Sequence, residues 1–264
     1  MSINRTCLFP TLLLLLFCSL IAPQSRANSV GIGFGGTTQY KGGSHYRAIP
    51  LASFSFDTRI GIVANEQIGV KIDLIKSRRV DTGPILRYQG GRDNDISDSV
   101  VAKLPELAAT VEAGWFLGSG IPLSVLGLKS DNIITAKISG VTDIGDGHGG
   151  STITTSTALV IPASPTVRII TSLSLSFSDK NYHQAFYGIS ETAAANSELP
   201  AFNASAGLES VGLGLIIVKQ LSKKWSLSSI TSLSELQADA AESPITKRGS
   251  SSQLFMGAVF TYQL

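Results

Sequence analysis

The sequence predicts an all-β chain, a transmembrane antiparallel β-barrel of about twelve strands behind a cleaved signal peptide. Three observations predict it. The first is the final stretch, residues 251–264, whose even positions Leu254, Met256, Ala258, Phe260, Tyr262 and Leu264 are all apolar. Successive side chains of a strand point to opposite faces, so this stretch has one apolar face and one small or polar face. The second lies at the other end. Arg5 precedes an apolar core over residues 11–21, and Ser25-Arg26-Ala27 is a small-x-small site, the pattern of a secretory signal peptide covering residues 1–27. The third is composition: 43% of the residues are hydrophobic and only 15% are charged. Yet no apolar run after residue 27 approaches the roughly 18 residues of a spanning helix. Apolarity spread by alternation suits a barrel in a bilayer.

Residues 28–264 divide into strands in order. Residues 29–38 set Val30, Ile32 and Phe34 against Gly31, Gly33 and Gly35. Residues 48–57 set Ala52, Phe54 and Phe56 against serines, and 58–63 turn straight back. Residues 67–75 and 78–89 alternate Ile68, Val70, Ile72, Leu74, Leu86 and Tyr88 with charged positions. After a polar loop at 90–105, residues 106–117 carry Leu107, Val111, Trp115 and Leu117 on one face. Residues 121–139 form a long strand whose phase breaks near Gly127, read as a bulge. A Gly/Asp loop at 140–147 leads to 148–161, and Pro162 to Pro165 make a short turn. Residues 166–178 alternate most cleanly, with serines at 172, 174, 176 and 178. A long loop at 179–205 precedes 206–220; a basic turn at Lys223-Lys224 precedes 225–236; a loop at 237–249 leads to the closing strand.

Long and short connections alternate, which puts both termini at the short-turn end and makes the strand count even. Ten strands follow instead if residues 58–75 make no hairpin of their own. A soluble sandwich or lipocalin-like barrel also alternates, but with its apolar face inward. The signal peptide and the closing strand favour the membrane. That strand resembles the terminal signal of bacterial outer-membrane barrels, with Leu264 where Phe is usual.

The formal net charge of +2 gives no field for nucleic acid. Both cysteines, Cys7 and Cys18, fall within residues 1–27, so the remainder has neither a disulfide framework nor a thiolate metal site. Inward positions carry both signs: Arg59, Lys71, Arg79, Arg87 and Arg168 against Asp73, Asp81, Glu112, Glu209 and Glu235. A charge at the lipid midplane costs about 2–4 kcal/mol, so these residues are assigned to the lumen. They read either as a selectivity lining or as a network that fills and stiffens the lumen, and the balanced signs favour the network.

No catalytic, cofactor or metal site is expected. His148 and Ser151 are three apart, on opposite faces of a strand, and lack an orienting carboxylate at fixed reach. Asp143, Asp146 and His148 have no ligand pattern for a hard cation, and His45 and His183 stand in other loops. Arg92, Asp93 and Asp95 read as a rim charge cluster, and the sequon at Asn203-Ala204-Ser205 is discounted in a barrel loop.

An ordered set of motifs carries a resemblance. Tyr40-x-Gly42 runs to Tyr46-Arg47-x-x-Pro50; Gly83-Pro84-x-Leu86-Arg87-Tyr88 precedes Gly91-Arg92-Asp93-Asn94-Asp95. Leu104-Pro105-Glu106, Glu112-Ala113-Gly114, Asp146-Gly147-His148, Phe186-Tyr187-Gly188-Ile189-Ser190, Ser243-Pro244-Ile245 and Arg248-Gly249-Ser250 follow. In this order the chain resembles the MipA/OmpV family, the MltA-interacting outer-membrane proteins, departing from it at Ser44, His45 and Leu264. The resemblance implies a non-enzymatic barrel in the Gram-negative outer membrane, in contact with its lipid. It also implies a scaffold between a lytic transglycosylase and a murein synthase, with a porin-like channel or an adhesin as alternatives. A periplasmic partner reaches only the short turns, expected at 57–58, 76–78, 118–120, 161–165 and 220–224. Two of these are basic, through Lys76 and Arg78 and through Lys219, Lys223 and Lys224, and would face acidic protein or anionic head groups.

Overall fold

The computed structural model describes residues 28–65, 68–75, 77 and 79–264. Residues 1–27, which carry the signal-peptide pattern, and Lys76 and Arg78 lie outside the described residues. Twelve antiparallel strands form a closed barrel in sequence order. They are β1 Ser29–Thr38, β2 Tyr46–Asp57, β3 Ile62–Asn65, β4 Gly69–Asp73, β5 Val80–Gln89 and β6 Thr110–Pro122. β7 Ile133–Asp143, β8 Ser151–Ser164, β9 Val167–Ser178, β10 Gly207–Gln220, β11 Trp225–Leu236 and β12 Ser252–Gln263 complete it.

The barrel closes where β1 meets β12, from Ser29 opposite Gln263 to Gly36 opposite Met256. The inward glycines of β1 let the two backbones approach, because a Cβ on Gly33 would collide with the Ala258 carbonyl. Apolar side chains point outward: Ile32 is 77% exposed, Phe34 75% and Leu213 60%. The inner face carries Ser, Thr, Gly and charges, with Ile85, Phe116 and Val141 buried among them. This is the inverse of a soluble barrel, and no helix among the described residues is long and apolar enough to cross a membrane. Trp225 and Tyr262, 4.9 Å apart, mark an aromatic girdle at the short-turn end.

Two expectations are corrected. Residues 118–120 are not a turn; they lie within β6, which continues to Pro122. Gly118 faces the lumen, where a Cβ would strike the Asp81 carboxylate, so this glycine makes room for a charge rather than turning the chain. The turn comes later, as a 3₁₀ turn at Leu123–Leu126 ended by Gly127 in the left-handed region (φ 80°). The phase break near Gly127 is therefore this turn and not a bulge. A bulge occurs instead at Glu209, where β10 slips register against β9. The β3–β4 hairpin forms, giving twelve strands and not ten, but both strands are shorter than expected.

The long loops are folded. α1 Lys180–Tyr187 and α2 Glu191–Asn196 lie between β9 and β10; α3 Ala238–Glu242 and α4 Pro244–Arg248 lie between β11 and β12. Asp179 caps α1 by accepting from the Tyr182 amide, Ser190 caps α2, and Ser243 with Pro244 starts α4. Together with the β1–β2 and β5–β6 loops they build a cap with its own core. Tyr40, Val101, Leu104, Ile189 and Ile245 form one cluster. Tyr182, Phe186, Tyr187, Leu236 and Ala240 form the other.

Replacing Leu213 with Arg places a charge on the lipid face at a cost of about 2–4 kcal/mol. The heat-modifiable fraction recovered in the outer membrane should fall, whereas Ser232→Arg, on the lumen face, should leave it near wild type. Equal loss from both variants would contradict the inside–outside assignment.

Candidate functional site

The lumen holds two charged tiers beneath the cap. In the upper tier, Arg87 of β5 donates through Nε to Glu112 of β6 at 2.6 Å. Glu112 is fully buried. Its other oxygen meets His148 Nε2 at 3.2 Å, while His148 Nδ1 accepts from the Gly150 amide at 3.1 Å. An accepting Nδ1 leaves the ring proton on Nε2, so His148 donates to Glu112. Across the lumen, Glu209 of β10 accepts from Lys41 at 2.7 Å and from the Tyr187 hydroxyl at 2.9 Å.

Helix α1 lies between these two anions. Lys41 sits over the rings of Tyr182 and Phe186, at 5.3 and 5.5 Å. His148 meets Tyr182 edge-on at 4.9 Å. Burial pushes the Tyr182 phenol up and the Glu209 charge adds to this, against Lys41 and Arg87. One side chain thus feels both walls of the barrel. For Lys41, burial works downward, but Glu209 outweighs it and holds the ammonium above the usual lysine range. His183 is fully buried, with neither ring nitrogen hydrogen-bonded.

In the lower tier Phe116 lies between Lys71 and Lys137, whose ammonium groups stand 5.2 and 5.6 Å from its ring. Lys71 also faces Asp81 at 4.0 Å. Asp73 Oδ1 accepts from the Thr82 and Ile75 amides, pinning the β4–β5 connection. On β8 and β9, Thr152 meets Ser178 at 3.2 Å beside Glu209, and Thr154 meets Ser176 at 3.1 Å.

Of the residues assigned to the lumen, Lys71, Asp73, Asp81, Arg87, Glu112 and Glu209 are on the inner face. Arg168 shares the phase of the β9 serines but is exposed at the turn end. Three assignments are corrected. Arg59 lies in the β2–β3 turn and Arg79 in the β4–β5 connection, both exposed, because those strands start later than expected. Glu235 shares the outward phase of Leu233 and accepts from the Ser251 and Ser252 hydroxyls, both at 2.5 Å. Serines on both faces of β11 hid its phase.

Among the basic residues of the turns, Lys219 is outward in phase with Ile217, and Lys223 and Lys224 are in the β10–β11 turn. Lys224 Nζ donates to the Tyr262 hydroxyl at 3.1 Å. Of the set Asp143, Asp146 and His148, the first and last are engaged internally, and Asp146 is exposed on the loop. Asp143 accepts from the Gly145, His148 and Gly149 amides and the Thr110 hydroxyl. Ser151 Oγ donates to Thr142, not to His148. Sequence reasoning missed Lys41, Lys137, Tyr182, His183 and Tyr187 as lumen residues. The signal was present: Asp179 is a helix cap, followed by Tyr182/Phe186 and His183/Tyr187 at helical spacing.

Glu112→Gln strips Arg87 of its partner. This should destabilise the barrel by about 3–5 kcal/mol, read as a lower temperature for loss of the compact gel band. The Arg87→Met/Glu112→Leu pair should recover most of the loss. The cap has its own acid limit. Burial works to raise the Asp98 carboxyl, but the Arg248 hydrogen bond at 2.7 Å and the Val101 and Val100 amides outweigh it and hold it below its usual 3.8. A depressed folded value contributes stability that is fully present above about pH 4 and is lost as pH falls through the folded value. Proteolytic nicking of the cap should therefore rise below pH 4, and Arg248→Ala should flatten that dependence.

No curated protein matches the chain. Among solved structures it is similar to the NanC porin, at 9% identity over 90% of this chain and 100% of that one, with a TM-score of 0.49. The translocator domain of autotransporter NalP from Neisseria meningitidis matches at 9% identity over 91% and 90%, with a TM-score of 0.48. An outer-membrane channel from Pseudomonas putida F1 matches at 11% over 92% and 100%, with a TM-score of 0.47. The family model described as MltA-interacting protein MipA matches residues 30–264, the whole barrel. With its apolar belt and closed wall, the chain is an outer-membrane β-barrel and belongs to the MipA family.

Proposed function

We propose that this barrel is a non-enzymatic scaffold that holds murein-remodelling enzymes at the outer membrane. The observation that carries this reading is the filled mouth. α1 lies across the upper lumen, tied to β10 through Tyr187 and Glu209 and to β6 through His148 and Glu112. A barrel so filled serves as an anchor better than as a conduit. The family's description as MltA-interacting supports a lytic transglycosylase as partner, and a murein synthase is the second candidate. Long loops face outward in outer-membrane barrels, which leaves the short turns for a periplasmic enzyme. Lys223 and Lys224 lie there beside the ends of β1 and β12: Gln263 donates its amide to the Lys224 carbonyl, and Leu264 to that of Asn28. Exposed cations of this kind form salt-sensitive contacts with acidic surface.

A second reading has its own observation. On the inner face of β9 and β10, Gly212 and Gly214 lie against Ser174 and Ser172, and the same face continues into Ile170, Ile216 and Ile230, a part-hydroxyl, part-apolar lining that suits small solutes once the mouth is open.

Planar-bilayer recording distinguishes the two. The intact barrel should give a closed record, and excision of residues 180–196 should open a steady current. A steady ion-selective current from the intact protein, altered by Arg168→Glu, would establish the channel. Lys223→Glu with Lys224→Glu should weaken salt-sensitive capture of a purified MltA-type transglycosylase without affecting barrel assembly. Capture unaffected there but lost on altering residues 179–205 would move the partner outside the cell.

A further inference from the structure

The cap buries a cation that no side chain neutralises. Arg92 is only 7% exposed. Its guanidinium reaches two carbonyls, Phe186 O at 3.4 Å and Pro105 O at 3.3 Å, both longer than a normal N–H···O bond of about 2.7–3.2 Å. Its Nε is buried with no partner. Among the described residues no carboxylate lies within ion-pair distance of it. Burial pushes the guanidinium down from its ordinary value, with the nearby Tyr40 opposing. A buried charge left in this condition costs several kcal/mol unless something completes its hydrogen bonds.

Arg92 also lines an open cleft of about 200 Å³ in the cap. Leu104, Leu107 and Ala185 supply apolar wall, and Glu106 supplies a carboxylate. Three separate stretches converge here: Arg92, Leu104 to Leu107, and the segment of Gln184, Ala185, Gly188 and Ser190. The planar fork of an arginine whose terminal nitrogens hold only long bonds matches a carboxylate. A simple anion would also face Glu106, which repels it. A ligand carrying both charges satisfies both residues, and the volume admits a body of a few carbons between them.

We propose that this cleft binds a small zwitterion of amino-acid size, with its carboxylate on Arg92 and its ammonium toward Glu106. The site opens at the long-loop end, away from the basic turns, so it stands independently of the scaffold reading.

The test uses the full barrel in detergent micelles, with folding verified by heat-modifiable mobility. The probes are the standard amino acids, titrated by ligand-observed NMR. The amides and the deaminated acids of the binders serve as single-charge controls. At least one apolar amino acid should bind saturably, and both of its single-charge analogues should bind roughly tenfold more weakly or worse. Arg92→Gln should abolish binding. Glu106→Gln should reduce the amino acid to the level of its deaminated acid. If Arg92→Gln does not assemble, Ala185→Phe fills the cleft from its wall and should abolish binding in a folded barrel. No saturable binding by any amino acid, or binding unchanged in Glu106→Gln and Ala185→Phe, would overturn the proposal.

Discussion

A strand in hydrocarbon cannot leave its backbone amides and carbonyls without partners, and the architecture follows from that constraint. It forces β1 onto β12 and sets the glycines of β1 facing the closure. It also drives side-chain polarity inward. With the outer face given to lipid, serines, threonines and charges share one interior. That interior is too crowded for single-sign rings, so the charges are paired. Glu112 takes Arg87 and His148, and Glu209 takes Lys41 and Tyr187.

The pairing also explains why the cap is part of the barrel and not an ornament on it. Glu112 and Glu209 are wall residues, but His148, Lys41 and Tyr187 belong to loops. Glu209 without Lys41 would be a buried charge, and Lys41 without Glu209 would be another, while the neutral donors His148 and Tyr187 complete the hydrogen bonds of Glu112 and Glu209. The two halves are thus mutually required, while the hydrophobic clusters around Ile245 and Tyr187 supply the non-directional part of the adhesion. Asp98 to Arg248 is the outer, partly exposed fastening of the same cap and is correspondingly the more sensitive to pH and salt.

The wall was legible in the sequence because its signal is local. Alternation with period two marks a strand by itself, and the energetic penalty on charged lipid-facing residues assigns Lys71, Asp81, Arg87 and Glu112 to the lumen without knowledge of their partners. Errors arose where alternation is uninformative. Serines fall on both faces of β11, so Glu235 was misphased, and the glycines at 118 and 120 look like a turn, but Gly118 makes space for Asp81 and Gly120 packs under Thr135. The cap was largely illegible. Only α1, of eight residues, carries a helical spacing behind its cap; α2, α3 and α4 run five or six residues, too short for a periodic signal beside so many polar neighbours. Which loop residue meets which wall residue depends on barrel circumference, as in Lys41 with Glu209, 168 positions apart.

The wall is not uniform, and its thinnest part shows why a cap is needed at all. β3 stops at Asn65, and among the described residues upper β2 has no strand on that side. Phe54 donates its amide to the Asn65 side chain, so even-numbered amides of β2 face the gap. Pro50 therefore stands where β2 would point a donor at no partner, and proline has none to point. The β5–β6 loop lies over the top of the gap. Arg47 reaches Asp93 at 3.8 Å, and Gln39 exchanges hydrogen bonds with Ser97. The same loop carries Arg92 and Leu104 into the cap. One segment thus shields an open edge and completes the roof, which couples the integrity of the wall to the folding of the loops above it.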